Sequence, residues 1–564
     1  MAAFLVAAAA SPQPNIFTLL TDDQDDLLNS TIVQPNLLSR VGGHGVRFAN
    51  GFVNHPVCCV SRSSLLTGRY SHNTHVLNNS AATGDQPRGN CTSPAWAANL
   101  EPHALAVHLH GAGYHSIYMG KYMNDMHNSG SVPPEYEDDP FRYIPPGWSE
   151  WYGLQGNSKY YNYSVSNNGT REDHGDDYDA DYFTLQLERR ARRFLAERAA
   201  ANRVAYTPFF LMMGTPAAHA DFIPPPGLWP SDGLPARGVP ATATAPRTPN
   251  HNAVCEHCHL PLRHYPKMTD AAVAESDEIW RRRLGTLAFV DDMLGRLMDQ
   301  LEASAELERT LILYTADNGF HMGQWAQGFD KRQMYETDLR VPYFVRCPGC
   351  VRGATLDAPI SHVDIMPTLL DFAGVALPRY LDGRSFRPLL EPGTSAAAQA
   401  TWDPRVFVQY YGESYVAGTD PPDRDFKGGC GCGIDGDHSA PGSPYPGEVL
   451  SPDAFNGAPC DGWNNTYACS RKVATAASPG AYIYCAFECF APNSMAPMAC
   501  DAAHAEGTGE YYDMEADPWQ MTNLAAKGVP APIKAHVATM KACAGEGAPE
   551  EGGCRLPPLR VTAD

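Results

Sequence analysis

Apolar residues run almost without interruption over Asn15–Thr21 (NIFTLLT) and then stop at Asp22-Asp23-Gln24-Asp25-Asp26. A short, unbroken apolar run that ends at a polar turn predicts a strand buried on both faces. The same pattern recurs at 115–122 (HSIYMGKY), 208–214 (PFFLMMG), 310–317 (TLILYTAD) and 341–349 (VPYFVRCPG). Between these runs the period changes. Residues 103–112 read as a helix, and 283–301 place Leu284, Leu287, Val290, Leu294, Leu297 and Leu301 at helical spacing. Strands alternating with helices predict an α/β protein with a large mixed, mostly parallel sheet covered by helices on both faces.

Beyond about Pro392 the character changes. Residues 417–465 are rich in Gly, Pro, Asp and Cys and show no period. Short strands are expected at 481–487 (AYIYCAF) and 509–515 (GEYYDME), and a helix at 532–543. The expected organisation is a leader over 1–12, a large domain over 13–392, and a smaller α+β domain over 393–564. That smaller domain would hold a short antiparallel sheet and a Cys/Gly/Pro-rich insertion.

Composition narrows the class. A chain of 564 residues is long enough for two domains with a sizeable core, and its charged content of 19% is that of a globular protein. The formal charge of −21 argues against nucleic acid or an anionic membrane as partner, so an anionic substrate would require a local cationic pocket. Sixteen Cys and six Asn-x-Ser/Thr sequons, at Asn29, Asn78, Asn90, Asn162, Asn168 and Asn464, point to the secretory route and a disulfide-bonded glycoprotein. The beginning, MAAFLVAAAASPQP, reads as a short signal peptide cleaved near Ala10. No other apolar run approaches the ~20 residues of a membrane span.

Candidate chemistry lies where the strands end. Four carboxylates following the first strand, at Asp22, Asp23, Asp25 and Asp26, are costly to gather without a cation. A solvated acidic turn is the plain alternative. The run at 310–317 also ends in oxygen ligands, Asp317 and Asn318. In open α/β sheets ligands collect at the carboxyl ends of strands. Two parallel strands would therefore bring Asp22, Asp23, Asp317 and Asn318 into one hard, all-oxygen site suited to Ca2+. The pair Cys255-x-x-Cys258, with His257, His259 and His264 nearby, has two readings, a zinc-ribbon fragment or a disulfide; an oxidising compartment favours the second.

The run CCVSRSSLLTGR, from Cys58 to Arg69, resembles the sulfatase signature, Cys-x-Pro/Ser/Ala-x-Arg followed by Thr-Gly-Arg/Lys. Cys58, Ser61, Arg62, Thr67, Gly68 and Arg69 fall in register; Val60 departs from the pattern. The segments TGRYSHNTHVLNN, PPGWSEWYGLQGNSKYYNYSV, DKRQMYETDLRVPYFVR and EYYDMEADPWQMTNL are similar to the branch of N-acetylglucosamine-6-sulfatases and extracellular glucosamine endosulfatases. The similarity covers most of 13–390 and a piece near 509–525, and does not clearly cover 221–262 or 415–500.

This resemblance implies an alkaline-phosphatase-like fold and a sulfuric ester hydrolase acting on a sulfated sugar or polysaccharide of the 6-O-sulfo-glucosamine type. It implies oxidation of Cys58 by a formylglycine-generating enzyme, giving an aldehyde whose gem-diol attacks sulfur. One Ca2+ would be held by Asp22, Asp23, Asp317, Asn318 and the modified Cys58. Arg62, Lys121 and Lys331 would neutralise charge, Asp317 would accept a proton, and His219 would protonate the leaving sugar oxygen. Where some arylsulfatases carry a further His this chain has Met123; His72 and His321 are candidates to replace it. An extracellular or lysosomal/vacuolar location follows. Two alternatives remain at this stage: an arylsulfatase-like or phosphodiesterase-like hydrolase on the same fold, and a glycan-binding relative without turnover if Cys58 is not converted.

Overall fold

The computed structural model describes residues 13–79, 90–230, 239–259, 262, 266–412, 465–476, 478–487 and 509–543. The expected leader, and residues 417–464 of the expected insertion, lie outside the described residues.

Ten strands form the central sheet. In spatial order they are Ala354–Leu356, Val46–Phe48, Tyr343–Arg346, Thr310–Ala316, Asn15–Thr21, Phe209–Gly214, His115–Gly120, Glu150–Leu154, Ser164–Asn167 and Thr170–Asp173. The middle of the sheet is parallel: Asn15–Thr21 pairs in parallel with both Phe209–Gly214 and Thr310–Ala316. Antiparallel strands extend it on either side. Unbroken apolar runs form these central strands because both faces are covered. Along Asn15–Thr21, Ile16 and Leu20 enter one core while Phe17 and Leu19 enter the other. Along Thr310–Ala316, Leu311 and Leu313 face the first core and Ile312 and Tyr314 the second.

The first face is covered by helices Cys58–Thr67, Leu105–Gly111 and Ile365–Phe372, through Leu65, Leu66, Leu105, Leu109, Leu369 and Leu370. On the second face lie the long helices Phe183–Asn202 and Asp270–Ala303. The latter is longer than its apolar spacing predicts, beginning thirteen residues before Arg283 with Thr269 as N-cap, whose hydroxyl accepts from Ala272 N at 3.2 Å. Its first turns bury Ala272, Ile279 and Trp280 together with the polar Ser276 and Asp277, so the apolar stripe there is thin. Phe183–Asn202 has no counterpart among the expected elements. Its apolar stripe, Leu187, Ala191, Phe194 and Leu195, is interrupted by Arg189, Arg190, Arg192 and Arg193.

The strand expected over 115–122 ends at Gly120. There φ is +106°, and a Cβ would lie 1.9 Å from the Gly214 carbonyl oxygen. Only glycine fits this close approach, and the bend delivers Lys121 below the carboxyl ends of the strands.

C-terminally, Arg405–Tyr410, Tyr467–Lys472, Tyr482–Phe487 and Gly509–Asp513 form a four-stranded antiparallel sheet. Cys469 and Cys485 are direct cross-strand partners and are joined by a disulfide. Helix Ala531–Ala542 covers one face with Ile533, Val537 and Met540. The other face, with Val406, Val408, Ile483 and Tyr512, is continuous with the first core of the central sheet.

Candidate active site and metal centre

The carboxyl ends of Asn15–Thr21 and Thr310–Ala316 are adjacent because these strands pair in parallel and in register, Thr21 opposite Ala316. Asp22, Asp23, Asp317 and Asn318 therefore emerge together. Asp317 Oδ1 accepts from Asp23 N at 3.0 Å and from Asn318 N at 2.9 Å, while Asn318 Nδ2 donates to Asp23 Oδ1 at 2.7 Å. Asp23 holds φ at +58°, a left-handed conformation unusual outside glycine and typical of functional turns. The loop after Phe209–Gly214 clamps the same turn: Asp22 N donates to Ala217 O at 2.7 Å and Ala218 N to Asp22 O at 2.5 Å.

Cys58 opens helix Cys58–Thr67 and is the free cysteine among the described residues. Its Sγ lies 3.6 Å from Asp22 Oδ1 and 4.0 Å from Asp23 Oδ1. The neighbouring Cys59 is held by a disulfide to Cys91. Being helical, the segment puts Arg62 on the face of Cys58. Arg62 Nε donates to Asp317 Oδ2 at 2.8 Å, its NH1 donates to Lys121 O at 2.5 Å, and its NH2 stands 3.3 Å from Asp22 Oδ2. Val60 lies in the first turn, buried in the core. A proline there would break no intrahelical bond, so the backbone accommodates either residue.

Two lysines complete the cluster. Lys121 Nζ is 2.7 Å from Asp22 Oδ2, and Lys331 Nζ donates to Asp23 Oδ2 at 2.9 Å. His219 Nε2 is 3.9 Å from Asp23 Oδ2. Its Nδ1 faces the Ala220 carbonyl at 3.1 Å, an acceptor, so Nδ1 carries the hydrogen and Nε2 is the atom free to exchange a proton.

Burial and charge compete here. Burial pushes the Asp22 carboxyl up, but Lys121, His219, Arg62 and Lys331 together outweigh it and hold it well below the usual carboxylate range. Asp23 is likewise lowered, Lys331 and His219 overcoming its burial. Asp317 is raised, first by burial and then by the charge of Asp22. Burial also drives the Cys58 thiol well above its ordinary value, so an unmodified Cys58 is a poor nucleophile.

The donor set fits a hard divalent cation. Asp22, Asp23, Cys58 and Asp317 each offer a ligand atom, all within 4.8 Å of one another. Asn318 Oδ1 is buried with no hydrogen-bond partner, an orphaned oxygen beside three carboxylates. A cation there would satisfy that oxygen and offset the mutual repulsion of the carboxylates.

Two residues at the site carried no signal in the sequence. Ser158 Oγ donates to Asp22 Oδ2 at 2.6 Å. Arg283, wholly buried in the long helix, donates to Asp23 O at 2.6 Å and to Asp25 Oδ1 at 3.2 Å. The aligned glycine, lysine and acidic runs mark strand ends, but a lone Ser or Arg reads as solvated until the chain is folded. His321 is paired with Asp338, its Nδ1 3.0 Å from both carboxylate oxygens. His72 is engaged with Gln409 and the Cys543 carbonyl, by the C-terminal sheet and its helix. Cys255 and Cys258 form a disulfide, as do Cys347 and Cys350, so the zinc-ribbon reading of the first pair falls.

Comparison with known proteins bears on this geometry. The sulfatase family model matches residues 14–375. Human N-acetylglucosamine-6-sulfatase is 34% identical over 522 residues, covering 92% of this chain and 82% of that protein. The extracellular sulfatase SULF-1 homologue of Drosophila melanogaster is 34% identical over 416 residues, 73% of this chain and 34% of that protein. A solved structure of a protein in complex with its substrate, D-glucosamine-2-N,6-O-disulfate, superposes with a TM-score of 0.60 at 22% identity, covering 94% of this chain and 97% of that one.

Proposed function

The chain belongs to the sulfatase family and is a sulfuric ester hydrolase acting on sulfated glycans, and we propose that its substrate is a 6-O-sulfo-glucosamine residue. The observation that carries the proposal is the placing of Cys58 Sγ within 3.6 Å of Asp22, among three carboxylates and three cations. The substrate class is supported by the 34% identity to the human N-acetylglucosamine-6-sulfatase across nearly the whole chain.

In this reading Asp22, Asp23, Asp317 and Asn318, with the modified residue 58, hold one Ca2+. The ion would supply Lewis-acid stabilisation of negative charge, and formylglycine at 58 would supply a hydroxyl nucleophile in place of a thiol. The remaining work falls to the chain's own side chains. Cys58 stands at the first position of a helix, where unpaired N–H groups favour developing negative charge. Arg62, fixed by Asp317 and the Lys121 carbonyl, adds a permanent cation on the same side. Asp317, buried with Arg62 Nε at 2.8 Å and within ligand distance of Cys58, is the carboxylate that accepts a proton as the nucleophile forms. Lys121 and Lys331 neutralise the non-bridging sulfate oxygens so that an oxygen nucleophile can approach sulfur in line. His219 Nε2 delivers a proton to the departing sugar oxygen.

In this reading residues 13–392 carry the chemistry and 393–564 belong to a smaller domain, whose described strands pack against the first core of the central sheet. The sequons and disulfides support a secretory-pathway protein that ends in an extracellular or lysosomal/vacuolar lumen, with a formylglycine-generating enzyme acting on it during maturation. No helix among the described residues is long and apolar enough to cross a membrane.

The deciding experiment is sulfate release from 6-O-sulfo-N-acetylglucosamine by protein from its native source, paired with mass analysis of the peptide bearing residue 58. Release abolished by Cys58→Ala, with the aldehyde mass present in the parent, is the expected result. Undiminished release by that variant would overturn it.

A further inference from the structure

Resting on the sulfatase reading above, we propose that Lys159 is a specificity-determining residue, whose ammonium engages a second anionic group of the glycan, an N-sulfate or a neighbouring carboxylate.

Its two chain neighbours are both anchored at the site. Ser158 Oγ donates to Asp22 Oδ2 at 2.6 Å, and Tyr160 OH donates to the carbonyls of Pro216 and His219 at 3.1 and 3.2 Å. Lys159 stands between them with its side chain 38% exposed, so the backbone carries a solvated cation at the rim of a buried site. Its Nζ is 3.8 Å from Asp221 Oδ2, two residues past His219. Asp221 and Phe222 both hold positive φ, +34° and +49°, and Phe222 is buried against the rings of Phe320 and Phe329. The bend that presents Asp221 to Lys159 is thus held by packing, which is how strained backbone persists at functional sites.

Charge assigns the role. The cations inside the site, Arg62, Lys121 and Lys331, each already contact an aspartate and are placed to meet one sulfate ester. A further anion on the same sugar or its neighbour must be met outside them, against a chain of net charge −21. A partly exposed pair at 3.8 Å is weak and exchanges its partner readily.

The test uses three probes: 6-O-sulfo-N-acetylglucosamine, 2-N,6-O-disulfated glucosamine, and a disaccharide joining a uronate to 6-O-sulfo-N-acetylglucosamine. Lys159→Ala is expected to raise KM about fivefold for a probe with a second charge, leaving kcat and the singly charged probe unchanged. Lys159→Arg should retain the preference, and the preference should shrink as salt is raised. Whichever charged probe responds identifies the anion. The same comparison of Kd values in a Cys58→Ala background needs no turnover. Discrimination there, with no sulfate release from any probe by the parent protein, would uphold Lys159 and count against the sulfatase reading. Equal effects on all three probes, or none on either charged probe, would refute the role of Lys159.

Discussion

Asp22, Asp23 and Asp317 illustrate how one residue type acquires different properties within a few ångströms. All three are fully buried, yet the first two are held low by lysines and His219, while Asp317 is held high by burial and its acidic neighbour. Glu101 is a cleaner case away from the site. It is buried, accepts from Trp96 Nε1 at 2.7 Å and from the Tyr143 hydroxyl, and burial pushes its carboxyl up from 4.5 to about 7 in spite of both donors. Here the native state retains a proton that the unfolded chain has lost. Stability contributed by this group is therefore complete below the unfolded value near 4.5 and declines as pH rises to about 7. The decline is on the order of 3 kcal/mol. Urea unfolding between pH 4.5 and 7.5, intervals of about half a unit, should show this slope in the parent and a flatter one in Glu101→Gln.

At the scale of elements, helix Cys58–Thr67 is fully buried along its length, so its position is set by packing and by what flanks it. The Cys59–Cys91 disulfide, with a sequence separation of 32, ties its first turn to the segment before helix Pro94–Asn99. Closing a loop of that size in the unfolded chain stabilises the fold by about 3–4 kcal/mol. The double variant Cys59→Ala/Cys91→Ala should lower the urea midpoint, with an m-value no smaller than the parent's because the uncrosslinked denatured chain is more open. An unchanged midpoint would mean that core packing alone positions the helix. The central strands were legible because residues buried on both faces leave an uninterrupted apolar run. Helix Phe183–Asn202 was not, because a surface helix with arginines on three sides shows only a narrow stripe.

For the whole molecule, the site is where the ends of two strands meet the first helix, and a divalent ion held by Asp22, Asp23, Asp317, Asn318 and residue 58 would cross-link these three elements. Removing it should loosen more than the active site. Dialysis against a chelator is expected to lower Tm, and adding back Ca2+ at about a hundred times its Kd should restore about 2.7 kcal/mol of stability. Mg2+, which demands a tighter octahedral shell, should restore less. A Tm indifferent to both would mean that Arg62, Lys121 and Lys331 suffice to hold the carboxylates together.

From the sequence alone came the alternation of buried strands and helices, the acidic strand ends and the register of the Cys58 motif, since all of these are local patterns. What only the folded chain decided is which ends meet. Asp23 and Asp317 are 294 residues apart, and nothing local distinguishes them from solvated turns. Parallel pairing in register brings them into hydrogen-bonding distance, and the same convergence recruits Ser158, Lys159 and Arg283. Those three are single polar residues whose meaning lies in their neighbours, and neighbours across a sheet are set by tertiary packing.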